Sequence, residues 1–138
     1  MEISLDGGAT WEPSTGPVTV TNGIFEVEAS AVDYAGNQGT SPELTLPVDT
    51  VPPTTDVSGV PLGWVNHLVH VAFTAVDNLS GVQTTYVGLD GMAAQEAAAL
   101  SIAAEGYHTV VYWSVDNAGN TETQHYVNVP IDLTPPIV

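Results

Sequence analysis

Two short stretches place carboxylates and amides where they could do chemistry: AVDYAGN at residues 31–37 and SVDNAGN at residues 114–120. In both, Asp is followed four residues later by Asn, with Gly between. An Asp there can accept backbone N–H bonds and close its own turn. With other oxygens nearby it can instead hold a hard cation. Calcium takes about 6–8 oxygen ligands at about 2.3–2.6 Å, supplied by carboxylates, amide oxygens and carbonyls. DNLSG, beginning at Asp77, and VDTVPP, containing Asp49, offer more of the same. The candidate calcium ligands are therefore Asp49, Asp77, Asn78, Asp116 and Asn120, with turn capping as the plainer alternative. The four His are a poorer metal set. His67 and His70 are three apart and point to opposite faces of a strand, whereas zinc needs three or four convergent ligands.

The charge balance points the same way. The 138 residues include no Lys or Arg against 16 Asp plus Glu, a formal net charge of −16. Without basic side chains the chain cannot neutralise phosphates, so nucleic acid is excluded as a partner, as are anionic membrane surfaces. Cations are favoured. A hydrophobic content of 43% is enough for a packed core. Cysteine is absent, so neither a disulfide framework nor a thiolate metal site exists. No apolar run approaches a membrane span, and no leader segment is visible ahead of EISLDGG.

The elements that must position these turns repeat. SLDGG at residues 4–8 matches GLDGM at 88–92, AVDYAGN matches SVDNAGN, and PVDTVPP at 47–53 matches PIDLTPP at 130–136. The offset is 83 or 84, which places one insertion after the Leu-Asp-Gly turn. The sequence divides into residues 1–48, the latter part of one repeat; 49–130, a complete repeat; and 131–138, the opening of a third. It reads as an excerpt of a longer tandem array. The segments 67–77, 82–90, 106–116 and 121–132 are rich in Val, Thr and Tyr and bounded by Asn, Asp and Gly, which predicts strands. The expected fold is all-β, an antiparallel sandwich.

Residues 91–106 contain good helix formers. Their counterpart carries Pro and β-branched residues, so a loop and a short strand near 99–103 are expected, with a helical turn at 93–98 as the alternative. Alternation in the first copy predicts Phe25, Val27, Ala29 and Ala31 inward and Glu26, Glu28 and Ser30 outward. Transferred to the second copy, it puts His108, Val110, Tyr112 and Ser114 inward. It leaves Val111 and Trp113 as a candidate contact surface.

VDTVPPTTDVSG, FTAVDNLSGVQTTYVGLDG, EGYHTVVYWSVDNAGNTE and IDLTPP together resemble the bacterial immunoglobulin-like repeats of large secreted and cell-surface proteins, the OmpL47-type variety above all. The resemblance implies tandem immunoglobulin-like sandwiches used as spacers, stalks or adhesion segments, extracellular and without catalytic residues. It implies neighbouring repeats as partners, a glycan or surface protein as ligand, and calcium at repeat junctions. In such a sandwich the B–C loop, the F–G loop and the incoming linker share one end, which would gather the five candidate ligands. Two alternatives remain open. Trp11, Trp64, Trp113, Tyr34, Tyr107 and Tyr126 could stack on sugars in a carbohydrate-binding accessory module. A first copy lacking its A and B strands could be completed by another chain, giving a homo-polymeric filament. No nucleophile elbow, metal helix or paired-carboxylate pocket supports an enzyme.

Overall fold

The computed structural model describes residues 1–138. They form two compact units, Met1–Thr50 and Val51–Val138, built entirely of strands and turns with no helix.

The second unit contains seven strands: β6 (Thr54–Ser58), β7 (Val69–Val76), β8 (Val82–Leu89), β9 (Gln95–Glu96), β10 (Ala99–Ile102), β11 (Gly106–Asp116) and β12 (His125–Ile131). They make two antiparallel sheets, one in the order β10-β7-β6 and one in the order β12-β11-β8-β9. Sequential strands that switch between two facing sheets in this way form an immunoglobulin-like sandwich. The predicted strands end within four residues of the observed ones, and 106–116 coincides with β11. Residues 91–106 hold strands β9 and β10 where local propensity favours helix. Pairing of Leu100 with Val71 and burial of Ile102 override that propensity.

The core follows the period of two. β7 buries Val69, Val71 and Phe73, and β11 buries His108, Val110, Tyr112, Ser114 and Asp116 on alternate residues. Val87, Ile102, Val129 and Ile131 complete the apolar cluster, with the Phe73 and Tyr112 rings 5.1 Å apart. After β6 the chain turns at Gly59, at φ +79°. A Cβ there would come within 2.1 Å of the His70 carbonyl oxygen, so only glycine fits.

The first unit is a single sheet of β1 (Glu2–Ser4), β2 (Glu12–Pro13), β3 (Gly23–Val32), β4 (Gln38–Thr40) and β5 (Leu44–Val48). Its path is β2-β1-β3-β4, with β5 pairing β3. Its registers coincide with those of the second unit. Gly23–Val48 through Val27–Leu44 in one correspond to Gly106–Ile131 through Val110–Val127 in the other, each residue 83 further along. The expected facing of β3 fails at its end: Ser30 is buried and Ala31 is exposed. Glu26 and Glu28 are half-buried rather than fully wet. The unit has no second sheet of its own to bury alternate residues. Burial therefore follows neighbouring strands, and the Ser30 hydroxyl is covered by Gln38, whose Nε2 donates to it at 3.0 Å.

Candidate functional site

At one end of the second unit the β7–β8 turn meets the β11–β12 turn. Asp77 closes the first of these: its Oδ2 accepts the N–H groups of Leu79 at 3.0 Å and Gly81 at 2.8 Å. Gly81, at φ +81°, then accepts the Asn117 backbone N–H at 2.9 Å. The Asn117 side-chain amide donates to the carbonyls of Ser80 at 2.8 Å and Gly81 at 3.0 Å, which fastens the turns together. Asp116 ends β11 at a register shift and is fully buried. Its Oδ1 accepts from the backbones of Ala118 at 2.9 Å and Asn120 at 2.8 Å, and its Oδ2 from the Asn120 side chain at 2.8 Å.

Two of the expected ligands therefore come together. Asp77 and Asp116 have carboxylate oxygens within 4.8 Å of each other. Asp77 Oδ1 is buried and accepts no hydrogen bond. Asn78 is exposed on the turn, and Asn120 spends its amide on Asp116. Asp49 belongs to the end of the first unit, beside Thr50, whose N–H is held by Asn22 Oδ1 at 2.9 Å.

The first unit's twin turn is built alike. Asp33 Oδ1 accepts from Ala35 N at 2.8 Å and Asn37 N at 2.9 Å, and its Oδ2 from Asn37 Nδ2 at 2.8 Å. Asp33 is exposed, and the Asn37 side chain above all holds its carboxyl below the usual range. Identical bonding in an exposed and a buried copy shows that turn closure is a local property of Asp-x-Ala-Gly-Asn. Asp6 repeats the theme, with Thr10 chiefly drawing its pKa down to about 2.

At the opposite end of β11, His108 is 8% exposed and lies between two acceptors. Its Nδ1 meets Asp90 Oδ2 at 2.8 Å and its Nε2 meets the Ala104 carbonyl at 3.0 Å. Only the imidazolium can donate to both. Asp90, then the Ala104 carbonyl, raise the histidine above its ordinary 6.5, and His108 chiefly lowers Asp90. A raised histidine stabilises the fold fully below its unfolded value and loses that contribution as pH climbs through the folded value. The depressed Asp90 contributes above its own unfolded value, so the pair is at full strength between about 4 and 6.5. Denaturation midpoints are expected to fall from pH 6 to pH 9. The fall should shrink in His108→Phe, which places the first unit's residue, Phe25, at the equivalent position. Equal slopes for both proteins would show that His108 does not titrate with folding.

A second buried polar group escaped the reading of the sequence. Glu122 is 9% exposed and accepts from Thr55 N at 3.1 Å, Ser114 N at 2.7 Å and the Thr55 hydroxyl. The Ser114 hydroxyl bridges Thr55 at 2.6 Å and Thr85 at 2.8 Å. His125 Nε2 lies 3.5 Å from Glu122, while its ring stacks on Tyr112 at 5.3 Å. This Ser–His–Glu set is not a nucleophilic triad, because the serine is sealed from solvent and bonded to two threonines. It is a polar tie between β6 of one sheet and β11 of the other.

Val111 and Trp113 are half-buried rather than bare. Trp113 stacks on Tyr86 of the adjacent strand, with ring centroids 5.4 Å apart, and Val111 occupies the space above Gly88. The exposed aromatic pair is Trp64 with Tyr107, 64% and 62% accessible and 6.2 Å apart. Trp64 borders a cleft with Val65, Asn66, His67 and Asp132. Val65 pins that loop to β12, donating to the Pro130 carbonyl and accepting from Asp132 N.

No protein-family model and no curated protein matches the sequence. The likeness to OmpL47-type repeats therefore stands on the motifs alone. Among solved structures, the fibronectin(III)-like modules of Clostridium thermocellum CbhA align over 94% of this chain and 78% of theirs. The identity is 19% and the TM-score 0.45.

Proposed function

We propose that the chain is a non-catalytic segment of an immunoglobulin-like repeat array, acting as a spacer or stalk of an extracellular or cell-surface protein. In this reading the units are copies of one repeat, and calcium stiffens the acidic end where a linker enters. The observation that carries the calcium reading is Asp77 Oδ1, buried and without a hydrogen bond. It belongs to a carboxylate that lies within 4.8 Å of the buried Asp116, in a chain with no Lys or Arg to neutralise either. A buried carboxylate oxygen left unpaired is costly, and a bound cation is one of the few groups that can meet it. Asp49, two residues before the second unit begins, would add a carboxylate from the linker side, and the carbonyls of the turns could complete the shell. The Pro52–Pro53 pair after it favours an extended, stiff linker.

Calcium titration of thermal unfolding tests this. Calcium at about 100 times its dissociation constant should add about 2.7 kcal/mol and raise the melting temperature, reversibly with chelator. Asp77→Asn should abolish the gain. A melting temperature indifferent to calcium and chelator in the unaltered protein would remove the cation from this reading and leave turn closure as the turns' whole role.

A further inference from the structure

The first unit contains the second unit's larger sheet without its smaller one. β1 pairs β3 and β2 as β8 pairs β11 and β9: Glu2–Ser30 and Glu2–Pro13 stand where Tyr86–Trp113 and Tyr86–Glu96 stand. In the second unit β6, β7 and β10 cover this sheet, and Val110, Val129 and Ile131 have 0% exposure. Their equivalents are uncovered: Val27 and Val48 are only half-buried, and Leu46 is 37% exposed. No residue of the first unit belongs to the buried hydrophobic core. A second sign is independent of burial. β10 pairs with β7 alone, and residues 16–19, which correspond to β10, form no strand. Among them Val18 is 45% exposed. They have the position of a strand and lack its partner.

We propose that this face is the receptor for a strand pair of the β6–β7 type, supplied from outside residues 1–138. The inference rests on the two units being copies of one repeat and is independent of calcium. The second unit states the chemistry of the occupant. It is an antiparallel pair presenting β-branched and aromatic residues at alternate positions, as Thr55, Val57, Val69, Val71 and Phe73 do. Its second strand would also give residues 16–19 a ladder to join. The chain's own β6 and β7 are already engaged, with Val71 and Phe73 0% and 5% exposed in the second unit. The bare face of a second copy is a poor occupant, because it would set −16 against −16 with no basic side chain in either.

The test adds a synthetic peptide of residues 51–78 to the full chain. In a parallel experiment, the same segment is joined ahead of Met1. Amide hydrogen exchange and binding of an apolar-surface dye are followed in both. Dye fluorescence should fall, and protection at Val27 and Ala29 should rise about tenfold or more while the second unit's protection is unchanged. Val27→Asp, on the inner face, should lose the response, and Ile24→Asp, on the outer face, should keep it. The proposal is overturned if protection does not change in either arrangement. It is equally overturned if the chain alone is a dimer in which this face is already protected.

Discussion

Glu122→Ala is expected to destabilise the second unit by about 2–6 kcal/mol, the cost of leaving two buried donors without an acceptor. The figure follows from what the carboxylate holds. Without it the N–H groups of Thr55 and Ser114 lose their acceptor inside the sandwich. A buried, unsatisfied donor costs about 1–3 kcal/mol. The Thr55 hydroxyl keeps Ser114 as a partner, so it adds little. Glu122→Gln retains an acceptor oxygen in the same place and should lose no more than about half as much. Urea unfolding followed by tryptophan fluorescence measures both. A loss below about 1 kcal/mol for the alanine variant would mean that water reaches the freed donors and that the site is not sealed.

Val110→Asp and Val27→Asp occupy equivalent places in the two units and should behave very differently. Val110 is wholly buried between the sheets, so an aspartate there carries an unpaired charge into the core and should unfold the second unit, costing upwards of about 4–5 kcal/mol. Val27 is half-buried on a sheet that has no partner sheet within its own unit, and its aspartate can turn to water. Its cost should stay near about 1 kcal/mol. Amide spectra of each variant, read unit by unit, distinguish the outcomes. Similar disruption at both positions would mean that the first unit's face is covered in solution.

The strands were legible because alternation of Val, Thr and Tyr between Asn-Gly-Asp turns survives without any knowledge of partners. The repeat corrected the one place where local propensity misled, at β9 and β10. What the sequence hid depends on distance along the chain. Glu122 and Thr55 are 67 residues apart. In a chain rich in carboxylates and lacking bases, nothing marks one of them as internal. His108 was read as inward-facing, but Asp90 as its partner follows from a turn closing across β8 and β11. The exchange of Ser30 and Ala31 has another cause. Alternation sets burial only where a second sheet covers one face. The facing read from the first copy holds in the second, where β6 and β7 supply that cover, and fails in the first unit, which has no counterpart of them. The paired aspartate turns were legible as closures. That Asp77 would keep a buried oxygen unbonded was not, because it depends on how two loops meet.

The tie formed by Thr55, Ser114 and Glu122 also determines how the second unit would respond to being pulled. Force applied along the chain enters through β6 and leaves through β12. These strands lie in different sheets, and neither pairs with the other. The backbone joins them only through Val65, in the loop after β6, which bonds Pro130 and Asp132 on either side of Ile131. Glu122, three residues before His125 opens β12, grips the N–H of Thr55 on the entering strand. Tension would therefore be shared between the buried Glu122 carboxylate and the two Val65 backbone bonds, and the rate at which they yield would help to set how long the repeat endures extension.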